Sequence, residues 1–161
     1  MIAVLNALQA KIAANATLSA LLAAHYPDQP LKHLFGFKKA LKATDYPIIS
    51  YIAAKAVYPE GRAKLLNEFS VSLVLGINDD RFFALDGSVL ADDRAGDATL
   101  LMMAGLQVSS AVVELIITDL QNSSSFAGFY INSAFTVFPE LPPAFPFFNT
   151  EIIFSLAKNA R

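Results

Sequence analysis

"FSVSLVLGI", residues 69–77, decides the fold. Phe69, Val71, Leu73, Leu75 and Ile77 alternate with Ser70, Ser72 and Gly76, and Val74 is the one apolar residue out of step. Strand side chains point to opposite faces with a period of two, so the pattern predicts a half-buried antiparallel strand. One face is polar. The other needs an apolar cover, and the flanking sequence has to supply it.

Upstream, Ile48 to Lys55 is rich in β-branched and aromatic residues and reads as a neighbouring strand. "TDYP" (44–47) sets the chain extended before it, because the residue preceding a proline disfavours the helical region. "LFGF" (34–37) reads as a short edge strand. Residues 2–14 place Ile2, Leu5, Leu8 and Ile12 on one helical face. Asn15 or Thr17 can cap a second short helix running to Leu22, since their side chains accept from orphan backbone N–H groups. "HYPDQP" (25–30) stops it.

Downstream, residues 78–98 form a long connection with six Asp and two Arg. Within it, "FFALDGSVL" flanks Asp86-Gly87 with apolar residues, a hairpin-turn signal. A loop of this length in a compact domain is usually functional or disordered. A helix is expected over 99–121, capped by Asp97 or Thr99. Met102, Leu106, Val113, Ile116, Ile117 and Leu120 form one apolar stripe on it; Leu101, Val108, Val112 and Leu115 form another. Such a helix is buried on more than one side, so one stripe can cover the sheet and the other can meet a second subunit. Strands are expected at Ile131–Phe138 and Glu151–Lys158.

This order predicts an α+β fold: a mainly antiparallel sheet of about four strands with helices packed on one face. The length, 161 residues, fits a single domain over 1–161, with an N-terminal helical region at 1–24 and the acidic loop at 78–98.

Composition points to assembly. The chain is 55% hydrophobic and 16% charged, against about 25% charged residues in ordinary globular domains. With so few charges a monomer has trouble covering its surface, and large exposed apolar patches mark interaction sites. The segment "FPELPPAFPFFNTEIIFSL" (138–156) concentrates the surplus, with four prolines and five phenylalanines. Phe145, Phe147 and Phe148 are therefore candidate subunit-interface residues, together with Val108, Val112 and Leu115 on the long helix. The equal alternative is that the three phenylalanines fill the subunit's own core. Asp79, Asp80, Asp86, Gly87, Asp92 and Asp93 make the acidic connection a candidate partner-docking loop.

A membrane span over Leu100–Leu120 has the right length. It would carry Gln107, Ser109, Ser110, Glu114 and Asp119, and carboxylates inside a span are costly and rare. "AANA" (13–16) has the look of a signal-cleavage site, but no positive segment precedes it. The net charge of −2 gives no electrostatic case for nucleic acid. There is no cysteine, which removes disulfide and thiolate chemistry.

Catalytic and metal signals are sparse. The two histidines, His25 and His33, lack the further ligands that zinc needs. The aspartates miss the calcium-loop spacing. Glu114 on the apolar helix would need a partner or a raised pKa if buried; the simpler reading sets it at a helix edge or pairs it with Arg62 or Arg161. Nucleotide-binding glycine motifs and nucleophile elbows are absent. The lysine cluster Lys32, Lys38, Lys39 and Lys42 reads as a solvated face. These readings imply a non-enzymatic protein with no cofactor and no metal.

Three stretches resemble the tail terminator proteins of long-tailed bacteriophages, also called tail completion or tail-to-head joining proteins. "TDYPIISYI" (44–52) resembles their turn into the first sheet strand, and "EFSVSLVLGIND" (68–79) resembles the second strand. "FPFFNTEIIFSL" (145–156) resembles the closing aromatic-proline turn and last strand. The resemblance covers roughly 45–160 by order of elements; the lysine-rich "KHLFGFKKALK" (32–42) has no counterpart in it. It implies a homo-hexameric ring that caps the tail tube, ends its polymerisation and joins the tail to the head connector. The implied partners are further copies of the chain, tail-tube protein and a connector or neck protein, with DNA passing through the ring. The implied place is the head–tail junction of the virion, after synthesis in the bacterial cytoplasm. A head-completion or stopper neck protein is the alternative within the same class. From a different class, a small ligand-binding domain or enzyme would turn the apolar surplus into a pocket.

Overall fold

The computed structural model describes residues 1–36, 40–57, 68–83, 89–90, 102–123, 125–140 and 146–158. In chain order these give helices α1 (Ile2–Ala13) and α2 (Ala16–His25), strand β1 (Lys32–Phe35), a 3-10 turn at Ala43–Asp45, and strands β2 (Ile48–Val57) and β3 (Glu68–Asn78). Short strands β4 (Phe82–Phe83), β5 (Val89–Leu90) and β6 (Met102–Met103) follow. Helix α3 (Ala104–Gln121) and strands β7 (Phe129–Ile131), β8 (Thr136–Pro139) and β9 (Phe147–Lys158) complete the order.

The fold is α+β. Its main sheet has six strands in the order β1-β2-β3-β9-β7, with β8 also paired to β9. The sheet is mixed because β1 runs parallel to β2, with Lys32 opposite Ile48, while the other pairs are antiparallel. The expected sheet of about four antiparallel strands is thus too small and too uniform. The parallel pair needs a connection long enough to return the chain to the same end, and residues 36–47 supply it.

β3 is the centre of the sheet. Phe69, Val71, Leu73, Leu75 and Ile77 are fully buried, as their alternation requires. On β9 the facing residues Phe148, Ile152, Phe154 and Leu156 are buried with them, in register with Ile77, Leu73, Val71 and Phe69. Ile49 and Tyr51 of β2 extend the same surface. The cover comes from Val4, Leu5, Leu8 and Ile12 of α1, Leu18 and Leu22 of α2, and Val108, Val112, Val113, Ile116 and Leu120 of α3. Ile2, expected on that face of α1, is 75% exposed at the helix start. Asn15 caps α2 by accepting from the Leu18 N–H at 2.9 Å.

Several element boundaries differ from the expected ones: α2 runs on to His25 rather than Leu22, and the edge strand is Lys32–Phe35 rather than 34–37. The last strand starts at Phe147 rather than Glu151, and burial alternates along it without a break. Thr150 is tolerated on its inner face because its hydroxyl lies 3.0 Å from the buried Ser109 hydroxyl of α3. The strand expected over Ile131–Phe138 is two strands, β7 and β8, pairing with different parts of β9. α3 begins at Ala104, because Met102 and Met103 pair with Phe83 and Phe82. β4 and β5 pair antiparallel on either side of residues 84–88, as a hairpin there requires. The turn residues themselves, Asp86 and Gly87, lie outside the described residues.

Gly105 sets how closely α3 approaches the sheet. A Cβ at this position would sit 2.3 Å from the Phe148 ring. Gly105→Ala is therefore expected to destabilise the fold by about 1–3 kcal/mol through overpacking. That exceeds the gain of up to about 1 kcal/mol from alanine's helix propensity. A lower thermal midpoint in circular dichroism is the expected readout; an unchanged or raised one would show that the ring yields at no cost.

Candidate functional site

The expected interface residues separate into two groups. Val108, Val112 and Phe148 are buried at 2%, 0% and 2% exposure inside the chain's own core. All three are packed inside that core, Val108 and Val112 on the face of α3 that covers the sheet. Leu115 is partly buried and packs against the core edge. Phe147 projects to the opposite face of the sheet, half-buried, with its ring centroid 5.4 Å from that of Tyr46. Tyr46 in turn lies over Gly76, where an added Cβ would come within 2.8 Å of its ring. Phe145 lies outside the described residues.

The acidic residues divide as well. Asp79 is 5% exposed and is a structural anchor, not a docking group. Its Oδ1 accepts from Arg81 Nε at 2.8 Å and from the Arg81 backbone N–H at 3.0 Å. Its Oδ2 accepts from an Arg81 terminal nitrogen at 2.7 Å and from the Tyr26 hydroxyl at 2.8 Å. Burial alone would raise the Asp79 carboxyl, but the Arg81 and Tyr26 hydrogen bonds outweigh it and hold it below the ordinary carboxylate value. The Tyr26 hydroxyl is pushed well up, first by burial and then by Asp79. The Arg81 guanidinium stacks 5.4 Å from the Tyr26 ring centre. Two backbone bonds tie in the neighbours: Asp79 N–H to the Pro146 carbonyl, and Ala104 N–H to the Arg81 carbonyl, each 2.9 Å. The Asp79 carboxylate thus joins the end of α2 to Arg81 just past β3, and the two backbone bonds tie the same segment to the start of α3 and the approach to β9. Asp80 is exposed beside it. Asp92 and Asp93 lie outside the described residues, as do Lys38, Lys39, Arg62 and Arg161.

Other candidate groups have ordinary surroundings. Glu114 is exposed on α3, so its charge needs no buried partner. His33 Nδ1 lies 2.8 Å from the Tyr51 hydroxyl with the two rings stacked, and burial lowers the histidine pKa. Among the described residues no group of three or more His, Cys, Asp or Glu is placed to hold a metal ion. No single described helix is long and apolar enough to cross a membrane. The bent pair α1–α2 passes by length and composition alone, and its Val4, Leu5, Leu8, Ile12, Leu18 and Leu22 are buried in the core.

Among the described residues the large apolar side chains left exposed are Met1 and Ile2 at the start of α1, Leu106 on α3, and a set near the two edges of the main sheet. At the β1 edge, Phe35 is 49% exposed, and Leu41 in the connection to β2 is 38% exposed. At the opposite edge, Val137 and Phe138 of β8 are 38% and 52% exposed, and Tyr130 of β7 is exposed too. Phe138, Pro139 and Glu140 wall an open groove of about 340 Å³ with Val74, Asn149 and Glu151. Val74, the residue out of step in β3, forms part of this groove. Sequence reasoning missed Phe138 as a surface group, although a signal exists. Its parity places it with Asn132 and Thr136 on the polar side of the strand.

No known protein family matches the chain, and no curated protein does so either. Its function is therefore argued from its own residues.

Proposed function

We propose that the chain is a structural virion protein of a long-tailed bacteriophage. Six copies close into a ring that caps the tail tube, ends its polymerisation and joins the tail to the head connector. The role places it at the head–tail junction and involves no catalysis and no cofactor. Its partners are its own copies, the tail-tube protein and a connector protein, with DNA passing through the ring without sequence-specific contact.

The observation that carries this reading is the pair of exposed apolar patches on opposite edges of one sheet. A closed ring is built from heterologous contacts, in which each subunit spends two different surfaces on its two neighbours. The resemblance of the strand-and-turn stretches at 44–52, 68–79 and 145–156 supplies the particular kind of ring. The test is tube polymerisation. Purified protein added to growing tail-tube protein is expected to stop elongation, and phage lacking it should carry overlong tubes. Tubes of unchanged length with and without the protein would rule out a terminator. Normal tubes on heads that fail to retain their DNA would move the assignment to a stopper.

A further inference from the structure

Resting on the ring reading, we infer that the β1 edge of one subunit docks on the β8 edge of the next, with basic residues on one side and acidic residues on the other. β1 carries exposed Lys32 and Phe35 at its two ends, and exposed Leu41 and Lys42 follow in the connection to β2. Lys32 reaches the Thr44 carbonyl, so its charge is held at this edge. Asp45, the nearby acid, accepts from the Lys42 backbone N–H within its own turn. The β8 edge presents exposed Glu140 and Phe138, and half-buried Glu151 of β9 lines the same groove. Glu140 is oriented by the Asn149 side-chain amide at 2.7 Å, and Glu151 accepts from the Ser72 hydroxyl. The one base on the β9 flank, Lys158, lies opposite Phe129 of β7, at the far end from Glu140.

The two edges therefore match in kind and oppose in charge. Each offers an exposed phenylalanine for burial, with charge of one sign on or near it: Lys32 on β1 and Glu140 beyond β8. Among the described residues β1 pairs with β2 alone and β8 with β9 alone, so both are edge strands there, and edge strands are templates for pairing with another chain. A second copy fits better than an unrelated partner, because the complement of each edge is already present on the same molecule. Like edges brought together would set Lys against Lys or Glu against Glu, so the charges also favour head-to-tail contact over a two-fold dimer. Exposed charges are screened by salt, so association should weaken as ionic strength rises.

Charge reversal tests this. One variant carries Lys32→Glu with Lys42→Glu, the other Glu140→Lys with Glu151→Lys. Each alone puts like charges across its own contact and is expected to weaken self-association at least about tenfold by light scattering. Mixed in equal amounts, each altered edge meets its complement, and assemblies containing both variants are expected to return. If Glu151→Lys unfolds the chain by circular dichroism, Phe138→Lys serves instead: it is expected to keep the fold and lose association. Variants that assemble like wild type, or a mixture that stays dissociated while both variants are folded, would overturn the edge contact. Wild type that assembles despite that outcome would leave the ring reading standing on other surfaces. Wild type that never associates would overturn both.

Discussion

Asp79→Ala is expected to cost about 3 kcal/mol of folding stability, read as a lower urea midpoint. Breaking a buried ion pair by removing one partner typically costs about 3–5 kcal/mol, because the other charge is left without compensation. The low end applies because the Arg81 side chain is 34% exposed and recovers some hydration. The Tyr26 hydroxyl also loses its acceptor, so the side-chain link between the end of α2 and the end of β3 is lost. Asp79→Asn keeps the shape but removes the charge, and should fall between wild type and alanine. The pH dependence follows from the depressed carboxyl. A group whose folded pKa lies below its unfolded value adds stability above the unfolded value, about 3.9, and loses it as pH falls through the folded value. Wild type should therefore lose stability in acid below about pH 4, and Asp79→Asn should lose less over that window. Equal acid sensitivity in both proteins would mean that the Asp79 carboxylate is not what titrates.

Phe148→Ala and Phe138→Ala are expected to have opposite consequences, although the parent residues come from one proline-rich segment. Phe148 is 2% exposed against the start of α3, and truncating a buried phenylalanine costs about 3–5 kcal/mol. Phe138 is 52% exposed, so its loss should change stability by no more than about 0.5 kcal/mol while weakening self-association. Because a Cβ on Gly105 would point at the Phe148 ring, Gly105→Ala should be far better tolerated beside Phe148→Ala than alone. Denaturant melts of the single and double variants check the coupling. Additive losses would mean that the two residues do not share the space described for them.

Much of the core could be read from the sequence because burial there follows strict periods. β3 and the two N-terminal helices are examples: Phe69 to Ile77 repeat at two, and Leu5, Leu8 and Ile12 at helical spacing. Asn15 was legible as a cap through its chemistry. The parallel β1–β2 pair was not, since a four-residue strand carries no mark of its partner's direction. The last strand was read four residues short because Asn149 and Thr150 look like turn residues, and their partners, Glu140 and Ser109, are distant in sequence. The same blindness affected the site. Phe145, Phe147 and Phe148 stood out by composition, yet Phe148 is core, while Phe35 and Phe138 reach the surface at opposite edges. Asp79 looked like one more acid in an acidic loop until the fold set Tyr26 and Arg81 around it.

The central claim is that this chain closes on itself. The direct measurement is the solution mass of the purified wild-type protein by light scattering over a wide range of concentration. A ring-forming chain gives a mass that climbs from 17.4 kDa towards six copies and falls back as salt is added. A mass that stays at one chain at every concentration and at low salt would contradict ring closure.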